Sequence, residues 1–128
     1  MDSFCYTCSL IIKIMTTDDW RELANQELEM ARSARQNGNE GRARVCARRA
    51  AGYVIGEYLL RNEIDLKTDS ALERSRYLHA SQEISSMQRE TIGHFLVHTT
   101  PDHNLPIDAD LISDVELLAH QLLGESLL

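Results

Sequence analysis

Gly41–Leu60 reads GRARVCARRAAGYVIGEYLL, and its two faces decide the fold. Ala43, Ala47, Ala50, Ala51, Val54, Ile55, Tyr58 and Leu59 recur mostly at three- and four-residue steps, the period of a single helix face. Alanine is the best helix former and carries little bulk, so this face allows a second helix to come close. Arg42, Arg44, Arg48 and Arg49 crowd the first half of the same helix. Four arginines in eight residues, within a chain of net charge −7, form a local cationic patch and not a bulk property.

Upstream, Trp20, Leu23, Ala24, Leu28, Ala31 and Ala34 repeat at helical steps and predict an amphipathic helix over 17–37. Thr17, Asp18 and Asp19 supply an N-cap and acidic first-turn residues. The run NGNEG (37–41) then breaks the helix, with Gly38 suited to a left-handed C-terminal position and Asn39 to capping the next helix. The two long helices are therefore expected to form an antiparallel hairpin. Downstream, Ser70 with Glu73 marks a third helix through Leu72, Tyr77 and Leu78. Ser85 and Ser86 open a fourth, which carries Met87, Ile92, Phe95 and Leu96 and is expected to stop at Thr100-Pro101. Asp108 and Asp110 precede a last stripe of Leu111, Ile112, Val115, Leu118, Ala119, Leu122 and Leu123, ended by Gly124. The expected fold is all-α: an up-and-down helical bundle of four to five helices on a long antiparallel hairpin, occupying residues 16–128 as a single domain.

Residues 1–15 read as an N-terminal extension, either outside that fold or docked on it as an extra apolar strap. Their apolar run FCYTCSLIIKIM is far short of a membrane span. The start carries Asp2 where a secretory leader wants basic residues. Three cysteines form no even disulfide framework, which points to a reducing, cytoplasmic setting. Cys5 and Cys8 make a CxxC, but no second Cys/His pair completes a zinc site, so no metal or other cofactor is expected. An acidic total opposes general coating of nucleic acid, while a local arginine patch can hold a phosphate or an acidic partner.

The first helix (WRELANQELEMARSA), the NGNEG turn, the small-residue helix (ARVCARRAAGYVIGEYLL) and an amphipathic closing helix together resemble the HEPN domains, small helical bundles of prokaryotes. The resemblance covers about residues 17–124. Where the family more often has Gln and Lys around its alanines, this chain has Arg49, Gly52 and Gly56. The resemblance implies a dimeric helical domain. Some relatives pair with a small nucleotidyltransferase as toxin–antitoxin systems. Others are metal-independent ribonucleases whose motif, an Arg followed four to six residues later by His, meets its copy across the dimer interface.

That motif occurs at Arg89–His94 (RETIGH) and at Arg74–His79 (RSRYLH). Histidine can move a proton from a ribose 2′-hydroxyl near neutral pH, and arginine can hold the phosphate. Composition alone yields about one such pair by chance. Residues five apart on a helix point about 140° apart, so a second protomer or a helix end has to complete the site. Arg89 and His94 are the catalytic candidates, because the family carries its motif in the later part of the bundle. His94 and His98, one turn apart, could join His103 as a three-His metal set, but HFLVH lacks the glutamate of the zinc-protease pattern. Arg44 and Arg48 share a face, with Arg42 and Arg49 on its flanks. They are read either as ion-pair partners of Glu22, Glu27 and Glu29 or as a contact for a phosphate or a partner protein. Trp20 is read as a core anchor.

The expected function is protein association through a homodimer, and through a second protein of nucleotidyltransferase type. The alternative is a toxin-class ribonuclease using Arg89 and His94, with RNA as its partner.

Overall fold

Gly38 adopts φ +77°, the left-handed region that favours glycine. Asn39 N–H reaches back to Ala34 O at 2.8 Å and closes one helix, while the Asn39 side chain accepts Arg42 N–H at 3.1 Å and opens the next. A computed structural model describes residues 19–97 and 110–127. There this turn joins α1 (Asp19–Gln36) to α2 (Glu40–Arg61) as an antiparallel hairpin. Three shorter helices complete the described chain: α3 (Ala71–Ala80), α4 (Ser86–His94) and α5 (Leu111–Leu123). Every regular element among the described residues is α-helical, and they pack as a helical bundle. The expected extension over 1–15 lies outside the described residues, as do Thr17, Asp18 and Asp108.

The caps form where the sequence places them. Ser70 accepts Glu73 N–H at 3.3 Å to start α3. Ser85 and Gln88 form a reciprocal capping box at α4, each side chain bonded to the other's backbone N–H. Asp110 caps α5 through Ile112 N–H, and Gly124 ends it at φ +65°.

α2 is the central element, with α1, α3 and α5 packed around it, while α4 lies against α3 and α5. Its face toward α1 and α5 is small: Ala43, Ala47, Ala50 and Ala51 are buried beside Val54 and Ile55, opposite Ala24, Leu28 and Ala31 of α1. On its α3 side the close approach is made by glycine. A Cβ on Gly52 would stand 2.6 Å from Ala71 Cβ and 2.9 Å from Ala71 Cα. One on Gly56 would stand 2.5 Å from Arg74 Nη1. The pair is spaced one turn apart, so the start of α3 at Ala71 and the Arg74 guanidinium lie directly on the bare backbone of α2.

Several apolar positions lie outside where the sequence pattern placed them inside. Leu23, Leu72, Tyr77 and Met87 are exposed, Met87 to 72%. In α3 the buried stripe runs through Ser75 and Leu78, with Ala71 seated on Gly52, and this turns Leu72 and Tyr77 outward. α4 ends at His94, well before Thr100-Pro101. Phe95 N–H and Leu96 N–H bond back three residues, to Ile92 O and Gly93 O, which tightens the chain out of the helix. The arginine that receives the freed carbonyls is Arg48 of α2.

Ion pairs tie the helix ends together. The Arg35 fork holds both Glu40 oxygens, at 3.1 and 2.8 Å, and reaches Asp110 at 3.0 Å, so one guanidinium spans the N-terminal ends of α2 and α5. Arg35 holds the Glu40 carboxyl below its ordinary value. Burial pushes Asp110 up, but hydrogen bonds from Arg35 and Ser113 outweigh it and hold that carboxyl down too. At the opposite end Glu125 receives both Arg21 and Arg61. Their guanidiniums lie 4.9 and 6.0 Å from the ring centre of buried Trp20, the core anchor its position in the sequence predicted.

Two outcomes are expected. Gly52→Ala forces α3 off α2 and costs about 1–3 kcal/mol, as overpacking does. Gly56→Ala meets only a flexible side-chain end and costs less; urea unfolding of the two variants measures the difference. In the second, Glu40 and Asp110 have folded-state pKa values below the ordinary 4.5 and 3.8. Their contribution is complete above those values and is lost as pH falls through and below them. Arg35→Met is therefore less stable than wild type near neutral pH, and the difference shrinks as pH falls through the lowered carboxyl values in the same assay.

Candidate functional site

The four arginines of α2 divide by what they touch. Arg48 is half-buried and donates Nε–H to Phe95 O at 3.2 Å and Nη2–H to Val97 O at 3.0 Å. Those carbonyls lie just beyond the end of α4, so Arg48 caps it from another helix. Burial, and then the nearby Arg44 charge, lower the Arg48 pKa from its ordinary value. Arg42 and Arg49 are exposed, and among the described residues neither side chain makes a hydrogen bond or ion pair. Arg44 is half-buried, and its charge helps to hold Glu40 ionised. Arg42, Arg48 and Arg49 form no ion pair with Glu22, Glu27 or Glu29, which removes that reading for these three.

Beside Arg48 and Arg49 lies an apolar hollow of about 190 Å³, lined also by Val45, Ala71, Leu72, Ser75 and Phe95. Val45 and Leu72 are 45% and 42% exposed at its edge. Helix positions explain the grouping. Val45 and Arg49 are one turn apart on the outer side of α2, and Gly52 brings α3 close enough to set Leu72 next to them. Arg49 and Ala71 also border a more polar cavity of about 390 Å³ with Gly52, Tyr53, Asp69 and Arg74. Arg74 is fixed there, donating to Gly52 O at 3.0 Å and to Thr68 O at 3.1 Å.

The Arg–His pairs are placed differently. Arg89 donates from Nη1 to His79 O at 2.6 Å and to Ser81 O at 2.9 Å, with a longer contact from Nη2 to Ile84 O at 3.5 Å. It closes the C-terminal end of α3. His94 lies on the other side of α4, its Nδ1 hydrogen-bonded to Asp114 of α5 at 2.9 Å. Within one chain the two side chains are not brought together. Arg74 and His79 are also separated: Arg74 turns to α2, while His79 Nε2 lies 3.5 Å from where a Gly93 Cβ would sit, against α4.

His98, His103, Cys5 and Cys8 lie outside the described residues. Among the described residues no cluster of His, Cys, Asp or Glu could hold a metal ion. Cys46 is a buried free thiol. Burial, and then the Glu27 charge, push its pKa up, which is the setting of an unreactive cysteine. No helix among the described residues is long and apolar enough to cross a membrane. Comparison with family models, curated proteins and solved structures gives no match to this chain.

Sequence reasoning located the arginine patch but missed the hollow beside it. The local signal was the spacing Gly52-x-x-x-Gly56, which foretells a close helix neighbour without naming which helix. The His94–Asp114 bond had no local signal, because twenty positions separate the two residues in the chain.

Proposed function

We propose that this chain works by protein association, as a HEPN-like helical domain that pairs with a second copy of itself and with a partner protein. What supports the reading is the outer face of the α1–α2 hairpin, over which no described helix packs. Leu23 and Met30, two turns apart on α1, and Leu60 on α2 are exposed large apolar side chains. Met30 shares a shallow hollow with Arg42, so the two helices offer this surface together. Three large apolar side chains on one hairpin, interspersed with Arg42, which has no ion pair among the described residues, and the exposed acids Glu22 and Glu29, make a surface with both area and charge for a self-complementary contact. Two hairpins packed face to face would place six such side chains in one interface and bring each acidic α1 near Arg42 of the other α2.

The nuclease alternative has one observation in its favour. Asp114 bonded to His94 Nδ1 is the arrangement that fixes an imidazole for proton transfer, with Nε2 left for a substrate. Arg89 would then have to serve a phosphate from its remaining N–H groups, in a site completed by the second protomer.

Sedimentation of the purified chain tests the first reading. The expected mass is twice 14.5 kDa at micromolar concentration, reverting to a single copy in the Leu23→Asp, Met30→Asp double variant. A single-copy mass for wild type at all concentrations rejects self-pairing. For the alternative, incubation with mixed RNA is expected to give cleavage that His94→Ala abolishes and Asp114→Asn reduces by about 100-fold. Intact RNA with wild type removes the nuclease reading and leaves the association reading in place.

A further inference from the structure

The hollow between α2, α3 and the end of α4 holds positive charge that no described side chain neutralises. Arg48 in its wall is bonded to two backbone carbonyls. Carbonyl oxygens satisfy N–H groups, but they carry no net charge to cancel a guanidinium. Arg49 at the edge has no hydrogen bond or ion pair among the described residues. Asp69, in the adjoining cavity, forms no ion pair with it. Val45, Ala71, Leu72 and Phe95 make the rest of the lining apolar, so the local dielectric is low and an uncompensated charge is costly there. In a chain of net charge −7 this is a local reversal of sign. The group that suits such a place is a carboxylate joined to an apolar body.

Size narrows the class. About 190 Å³ is below the roughly 300–1,000 Å³ of pockets that enclose whole small molecules, and it suits one large side chain. RNA is the poorer fit, because a mostly apolar lining matches an apolar side chain and not the sugar-phosphate backbone through which a nucleic acid is held. We propose that this hollow is the docking site for an acidic segment of a partner protein, which seats one Leu- or Phe-sized side chain against Val45, Leu72 and Phe95 and sets flanking carboxylates against Arg48 and Arg49. The inference rests on the association reading but uses a different patch from the Leu23–Met30 face, so the two fail separately. Sedimentation reports self-pairing, and peptide titration reports this hollow.

The probes are fluorescein-labelled decapeptides with one central Leu or Phe among glutamates, matched peptides with central Ser or with lysines for the glutamates, and an oligouridylate of ten nucleotides. Anisotropy titration against the full chain is expected to show micromolar binding of the acidic Leu and Phe peptides. The Ser and Lys peptides are expected to bind at least about tenfold more weakly, a difference of about 1.4 kcal/mol or more. Arg49→Glu and Leu72→Asp, both surface changes whose folding circular dichroism checks, should each weaken the acidic Leu peptide by about tenfold or more. Arg49→Glu should in addition gain affinity for the lysine-flanked peptide. The Leu23→Asp, Met30→Asp variant should bind the acidic peptide as wild type does. No binding of acidic peptides up to millimolar concentration overturns the proposal. So does equal binding of the Ser peptide, or an affinity that Arg49→Glu leaves unchanged. Binding of oligouridylate in place of peptide assigns the patch to nucleic acid. A change in the free chain's mass on Leu72→Asp without peptide binding assigns it to a second copy; either result overturns the proposal.

Discussion

The close approach of helices to α2 is the constraint on which the remaining structure depends. An α-helix surrounded by three neighbours has little surface left for side chains that reach far, so its contact positions must be small. Ala43, Ala47, Ala50 and Ala51 meet that demand toward α1 and α5, and Gly52 and Gly56 meet it toward α3. Small contacts draw helix axes together and raise the number of atoms within dispersion range, while each alanine gives up little conformational entropy on burial. The price is that this helix can supply few bulky groups to the core. Leu28, Leu78, Ile92, Leu118 and Val115, from the helices around it, fill the space instead.

Close packing of short helices raises a second problem, the carbonyls at their ends. Only Gly38 and Gly124 among the described glycines take the left-handed turn that usually satisfies such groups. Arginines from neighbouring segments serve elsewhere. Arg48 reaches Phe95 O and Val97 O past α4, and Arg89 reaches His79 O and Ser81 O at the end of α3. Arg74 reaches Thr68 O and also Gly52 O inside α2. A planar fork with five donors suits this role, because it serves two carbonyls at once in a fixed geometry. At α4 the same fork holds the segment that leaves the helix, through the carbonyls of Phe95 and Val97.

These long-range caps mark where the sequence stops being informative. The hairpin, its turn and the starts of α2, α3, α4 and α5 are local properties of residues such as Gly38, Asn39, Ser70, Ser85 and Asp110, and they were legible as such. Periodicity also found the buried faces of α1, α2 and α5. It failed at Leu72, Tyr77 and Met87, because a helix of nine or ten residues has too few turns for its apolar stripe to outweigh the demands of its neighbours. It could not separate a capping arginine from a binding one, since Arg48 and Arg49 are adjacent in sequence and differ only in which helix end lies within reach. The same holds for Arg89 and His94, whose motif spacing is local while their contacts are made with α3 and α5.

Adjacent arginines with different tasks give the patch its character. Arg48 is held in place by the backbone it caps, so its charge is positioned before any partner arrives and no side-chain freedom remains to be lost on contact. Arg49, one residue on, stays free to adjust. A fixed charge beside an apolar hollow and a mobile one at its edge provide orientation from the first and adaptability from the second. Among the described residues no acidic side chain pairs with the fixed charge, and several are engaged elsewhere: Glu40 and Asp110 with Arg35, Glu57 and Glu125 with Arg61, Asp114 with His94. A positive site without an ion pair among the described residues of an acidic chain is thus a product of how the helices are capped. The packing that fixes the bundle also sets the condition for recognising an acidic surface.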